Sequence, residues 1–191
     1  MQTLGLSDST PRSEGRLKSL FWPSITSGSD VDYLGRQGFW VCTVVGILSF
    51  LFLALVNLLL GLAILLVYFL GGVGVRERSR YAATIVFALY FLETLVLLPG
   101  LLSPGGILRI VCLGLLLSNF RATWIASRWQ PGSEDAELPM RLSDTWGDKL
   151  TDQLPMWLWP KISIPYYIFA SGFLVLEAYG LLNLFTRIAS S

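Results

Sequence analysis

Three ionisable residues lie inside the long apolar runs of this sequence: Glu93, Arg109 and Glu177. A charge in hydrocarbon costs at least ~2.5 to 3.5 kcal/mol on insertion scales, so such residues are seldom there without a role. Two carboxyl groups and one guanidinium leave one acid without a permanent ionic partner. An acid of this kind can be neutral at rest and take up a proton or bind a cation, which makes the trio a candidate intramembrane polar cluster.

A structural role is the alternative for this cluster, and a substrate site is a third. Arg109 could bridge both glutamates, or one protonated glutamate could hold the helices in register through hydrogen bonds. Four nearby polar side chains could supply such hydrogen bonds: Tyr90, Thr94, Tyr179 and Asn183.

The residue inventory excludes most other chemistry. The chain has no histidine, so it lacks the commonest metal ligand and general base. Cys42 and Cys112 lie far apart in apolar stretches, which indicates two small buried side chains. The glycines around Gly72 precede arginines, which is unlike a phosphate-binding loop and indicates the end of a helix. We expect no metal, no cofactor and no enzymatic activity.

The composition predicts a membrane protein. Hydrophobic residues make up 53% of the 191 residues and charged residues only 14%, and the mean hydropathy is +0.61. An ordinary soluble domain has roughly 25% charged residues, so this chain has too few to cover a surface that faces water. With 14 basic and 13 acidic residues and no basic tail, nothing suggests nucleic acid as a partner.

The lengths of the uncharged runs predict five membrane-spanning helices. One helix over residues 37–75, which carry no charge, would be about 58 Å long, whereas the hydrocarbon core is about 30 Å thick. Two helices joined by a tight turn near Asn57 fit the same stretch; a re-entrant hairpin and one long tilted helix are the alternatives. The predicted spans are residues 39–56, 58–75, 81–98, 106–126 and 162–185.

The positions of the basic residues favour the same topology. Five spans, or a re-entrant hairpin, place all 14 Lys and Arg residues except Arg109 and Arg187 on one side. One long helix would divide them almost evenly. Because Lys and Arg accumulate in cytoplasmic loops, the N-terminus is predicted to be cytoplasmic and the C-terminus outside. Glu93, Arg109 and Glu177 then lie in the outer half of the membrane, where Glu93 and Arg109 are well placed to pair.

The predicted fold is all-α: a polytopic transmembrane helical bundle with a short interfacial amphipathic helix. Leu142, Trp146, Leu150 and Leu154 recur every four residues and predict that helix on the membrane surface. The aromatic-proline cluster at residues 20–23 is either an interfacial anchor or a docking peptide. The organisation comprises a polar cytoplasmic tail over 1–37, two helical hairpins over 38–126, a cytoplasmic loop over 127–161, and the last span with a short outer tail over 162–191.

Three short motifs carry a resemblance: RQGFW at residues 36–40, SRYAA at 79–83 and SNFRATW at 118–124. Through them the chain resembles small multi-span membrane proteins predicted from bacterial genomes, over about residues 19–129. The resemblance implies a bacterial inner membrane and two helices in the first apolar stretch. It gives no indication of an activity.

Two functions remain after these steps. The first is a structural or accessory membrane component, with the lipid bilayer as its surroundings and a second copy or another membrane protein as its partner. The alternative is a small oligomeric transporter or channel with a proton or cation site at Glu93, Arg109 and Glu177.

Overall fold

The computed structural model describes residues 18, 21–25, 28–97, 103–128 and 157–190. Over these residues the predicted all-helical class is confirmed, and no strand occurs. Helices α1, α2, α4 and α5 are long and apolar enough to cross a membrane, while α3 has 17 residues. The five helices are α1 (Gly28–Leu53), α2 (Leu58–Arg76), α3 (Arg80–Val96), α4 (Pro104–Ala126) and α5 (Leu158–Ala189).

The first apolar stretch forms two helices, so the alternative of one long helix is wrong. Asn57 has an extended backbone, and its side-chain oxygen accepts a hydrogen bond of 3.1 Å from the N–H of Leu60, which caps α2. Helix α1 begins at Gly28, well before predicted residue 39. Counting uncharged residues missed this first part, although Val31 and Leu34 bury their side chains there.

Helices α1 and α2 pack against each other in antiparallel fashion along their whole length. Gly35 lies beside the backbone of Arg76, Gly46 lies beside Tyr68, and Gly61 lies beside the backbone of Ala54. The small residues allow the two helices to approach closely, which strengthens the van der Waals packing between them.

Helix α2 is the central element, because three glycines bring other helices against it. They lie in the last two turns of the helix, which ends at Arg76 close to the predicted residue 75. A side chain at any of them would collide with a neighbour. The contacts are those of Gly71 with Val86 of α3 and Tyr166 of α5, of Gly72 with Cys42 of α1, and of Gly74 with Ala82 of α3 and Trp159 of α5.

The turn between α2 and α3 joins several helices at one end of the bundle, called here the Arg76 end. Arg78 has a φ of 57°, and the N–H of Ser79 donates to the carbonyl of Gly74 at 2.9 Å, as in a Schellman motif. The Arg78 guanidinium pairs with Asp32 of α1 at 2.8 Å. The hydroxyl groups of Ser79 and Tyr167 of α5 share a hydrogen bond of 2.7 Å.

The aromatic-proline cluster of the N-terminal segment contacts α4 of the same chain. The Arg121 guanidinium donates to the carbonyl of Pro23 at 2.9 Å and lies 4.5 Å from the centre of the Trp22 ring. Phe21 lies beside Gly114. The predicted interfacial helix and the acidic part of its loop lie outside the described residues.

Replacing Gly74 by Ala is expected to destabilise the protein by about 1 to 3 kcal/mol, because the new methyl group would overlap Trp159 and Ala82. Thermal unfolding in one detergent measures the effect. Gly172→Ala is the matched control, since a Cβ at Gly172 meets nothing within 4 Å. Equal melting temperatures for the two variants would contradict the packing role of Gly74.

Arg78 offers a second test, because its left-handed backbone is costly for most residues and free of strain for glycine. Both Arg78→Ala and Arg78→Gly remove the ion pair with Asp32, but only the glycine variant removes the backbone strain. We expect Arg78→Ala to be less stable than Arg78→Gly by about 1 kcal/mol. Thermal unfolding of both variants in one detergent measures the difference. The reverse order would show that the positive φ is not maintained.

Candidate functional site

A cavity of about 790 Å³ lies at the opposite end of the bundle, called here the Asn57 end. Its volume is within the range of small-molecule sites, about 300 to 1,000 Å³. All five helices contribute to it, and α2 does so only through Ile64. Some lining residues are also exposed on the outer surface, among them Phe52 at 73%, so the cavity opens to the surroundings of the bundle. Its wall is largely apolar and includes Val44, Leu48, Phe52, Val96 and Leu108.

The three residues singled out in the sequence all line this cavity: Glu93 from α3, Arg109 from α4 and Glu177 from α5. Glu93 lies about 4.5 Å before the end of α3, and Arg109 lies about 7.5 Å after the start of α4, at a rise of 1.5 Å per residue. The two helices therefore carry the two groups at similar depth. Helix α5 runs in the same direction as α3 and brings Glu177 to that level.

Tyr68 of α2 satisfies one of the carboxylates. Its hydroxyl donates a hydrogen bond of 2.8 Å to Oε1 of Glu93, and its ring lies edge-on to Tyr90, with 6.3 Å between ring centres. Tyr68 was not among the sequence candidates. The available signal was its position as the only side chain between Leu58 and Val75 that carries a hydrogen-bonding group.

Arg109 does not form the expected pair. Within the described part of the chain, no ion pair joins its guanidinium to Glu93 or Glu177. The guanidinium instead lies 6.0 Å from the centre of the Tyr90 ring. Its Nη1 atom is buried and has no hydrogen-bond partner among the described residues. The alternative in which Arg109 bridges both glutamates is therefore wrong.

Glu177 also has an unsatisfied atom, since its Oε2 is buried without a hydrogen-bond partner among the described residues. Three of the four expected donors have other surroundings. Thr94 donates to the backbone carbonyl of Tyr90 at 2.7 Å, Tyr179 is 65% exposed, and Asn183 is also exposed. Helix α5 packs loosely here, because a Cβ at Gly180 would meet nothing within 4 Å.

The arrangement is suited to binding. Where the chain is described, no group of three His, Cys, Asp or Glu side chains could hold a metal ion. Toward the Arg76 end, the cavity meets a buried cluster that includes Cys42, Tyr68, Val86 and Leu116. A ligand in the cavity would therefore meet an apolar wall with one guanidinium, of Arg109, and one carboxyl group, of Glu177. The second carboxyl group, of Glu93, already accepts a hydrogen bond from Tyr68.

No protein-family model, curated protein or solved structure matches this chain. The geometry of the cavity is the basis on which its function can be argued.

The hydrogen bond between Tyr68 and Glu93 is expected to stabilise the fold. Tyr68→Phe leaves the carboxylate without its donor, so the free energy of unfolding should fall by about 1 to 3 kcal/mol. Glu93→Gln keeps an acceptor oxygen and should cost less. Thermal unfolding compares both with Tyr179→Phe, a control at an exposed tyrosine. Equal stability of Tyr68→Phe and the control would show that the hydrogen bond contributes nothing.

Proposed function

We propose that the protein is an accessory membrane component, with five spans, that binds an amphipathic molecule in the cavity at the Asn57 end. One observation carries this proposal: the wall of an apolar cavity holds a guanidinium nitrogen and a carboxylate oxygen that no described residue satisfies. An apolar wall favours hydrocarbon, while buried polar atoms without partners favour a ligand that supplies them.

The short helix α3 is the fifth span in this proposal. Its 17 residues extend about 26 Å, close to the thickness of the hydrocarbon core. It packs between α2 and α4, both of which are long and apolar enough to cross a membrane. A shorter helix can be accommodated by local thinning of the bilayer or by polar side chains near its ends.

The proposed orientation places the N-terminus in the cytoplasm and the cavity in the outer half of the membrane. Basic residues are concentrated at the Arg76 end, whereas the turn over residues 54–57 carries no charge. The resemblance of the sequence motifs to bacterial membrane proteins supports the bacterial inner membrane as the location.

Binding accounts for the geometry around Arg109 and Glu177 better than an ionic staple or a proton or cation path does. An ionic staple requires Arg109 to pair with a glutamate, and no such pair joins these described residues. A proton or cation path requires polar groups along the bundle, whereas the cluster around Cys42 and Leu116 beside the cavity is mostly apolar. A pocket that is closed on that side retains a ligand instead of conducting an ion.

A side chain placed into the cavity tests the proposal. Gly180 lines the cavity, Gly172 lies two turns earlier on α5 and does not, and a Cβ meets nothing within 4 Å at either. Gly180→Phe should therefore fill the cavity without a clash, and Gly172→Phe is its matched control. Native mass spectrometry of protein purified in a mild detergent measures the fraction that retains bound lipid.

We expect wild type and Gly172→Phe to retain lipid equally and Gly180→Phe to bind it roughly tenfold more weakly, as overpacking of a filled site predicts. Thermal unfolding confirms that both variants are folded. Equal lipid retention by all three proteins, or none by wild type, would overturn the proposal.

A further inference from the structure

We infer that the cavity binds a zwitterionic phospholipid with a primary ammonium group, its phosphate at Arg109 and its ammonium at Glu177. This inference rests on the proposed function and specifies the ligand class.

The charges in the cavity are the first argument. Nη1 of Arg109 and Oε2 of Glu177 are both buried, and neither has a hydrogen-bond partner among the described residues. An anionic ligand would satisfy only Arg109, and a cationic ligand only Glu177. The group left over would keep its buried polar atom without a partner, at a cost to binding. A zwitterion supplies both partners at once, an acceptor for Arg109 and a donor for Glu177.

The position of each group assigns the two ends of the headgroup. Arg109 lies in the second turn of α4, whose N-terminal turn begins after Ser103 and adds partial positive charge to that of the guanidinium. Guanidinium groups bind phosphate with two parallel hydrogen bonds. Glu177 comes from a different helix and is the carboxylate without a donor, since Glu93 accepts from Tyr68. A primary ammonium can donate to it, whereas a quaternary one has no proton to donate.

The remaining wall favours a lipid over a small water-soluble zwitterion. The volume of about 790 Å³ exceeds what a headgroup alone would fill, and Val44, Leu48, Phe52 and Leu108 offer apolar surface. Val44, Phe52 and Leu108 are themselves exposed on the outside of helices α1 and α4. Acyl chains can therefore extend from the cavity along surfaces that are already apolar, while the headgroup stays beside Arg109 and Glu177.

Four probes with matched structures test this assignment by isothermal titration calorimetry on the protein in an amphipol, which contributes no phospholipid. Dihexanoylphosphatidylethanolamine carries both charges, and dihexanoylphosphatidylglycerol carries only the phosphate. Dihexanoylglycerol carries neither, and glycerophosphoethanolamine, a phosphodiester like the lipid, carries both charges without chains. The proteins are wild type, Arg109→Gln, Glu177→Gln and the control Gly172→Phe.

We expect the Kd of wild type and of the control to be roughly tenfold lower for dihexanoylphosphatidylethanolamine than for dihexanoylphosphatidylglycerol. A difference of this size corresponds to one charge-assisted hydrogen bond. Glu177→Gln should remove this preference. Arg109→Gln should weaken both phospholipids about tenfold and leave dihexanoylglycerol unchanged. If either variant fails to fold, the order of the probes on wild type still decides the assignment.

Different failures have different meanings. If wild type binds all three dihexanoyl compounds equally, the headgroup assignment is wrong while the amphiphile site stands. If glycerophosphoethanolamine binds as tightly as the lipid, the assignment to a lipid is wrong. If none of the chain-bearing probes binds, both the assignment and the proposed function fail.

Discussion

The close approach of three helices to the glycines of α2 is the constraint on which this structure depends. Four of the helices are long and apolar enough to cross a membrane, and such helices are held together by van der Waals contact and hydrogen bonds. Gly71, Gly72 and Gly74 leave room for a Val, a Cys and a Trp side chain from three other helices. Because all three glycines lie within five residues of Arg76, the tightest packing is at the Arg76 end.

The loose packing of the Asn57 end follows from that asymmetry. Helix α5 is held beside α2 by Trp159 and Tyr166, and farther along its length a Cβ added at Gly172 or Gly180 would meet nothing within 4 Å among the described residues. Helix α4 is held by α1 and α3, where Asn119 packs against Gly38 and Trp124 donates to Thr84 at 3.2 Å. Both helices are thus anchored near the Arg76 end, and the space between them at the other end becomes the cavity.

The sequence predicts the helices well and their mutual rotation poorly. Uncharged length predicts two helices, because a single helix over that stretch is too long for the bilayer, and the turn is located at Asn57 because it is the only strongly polar residue near the centre. Charge counting brings Glu93, Arg109 and Glu177 to one level, because depth depends only on the rise per residue. Counting charges misses Tyr68, because uniformly apolar helices show no periodicity that indicates which side of the helix faces its neighbours. The pairing expected of Arg109 fails for the same reason: depth brings groups to one level, but rotation decides which atoms meet.

The three ionisable residues of the cavity have different roles because their partners differ. Glu93 has a tyrosine hydroxyl from α2, so its hydrogen bond links two helices and contributes to the fold. Arg109 and Glu177 each keep a buried polar atom without a partner among the described residues, at a cost to stability that apolar side chains of similar size would avoid. Proteins retain buried polar groups of this kind where the groups bind another molecule. One polar cluster can therefore serve both purposes, with the hydrogen-bonded carboxylate holding the helices and the two unsatisfied groups left to a ligand.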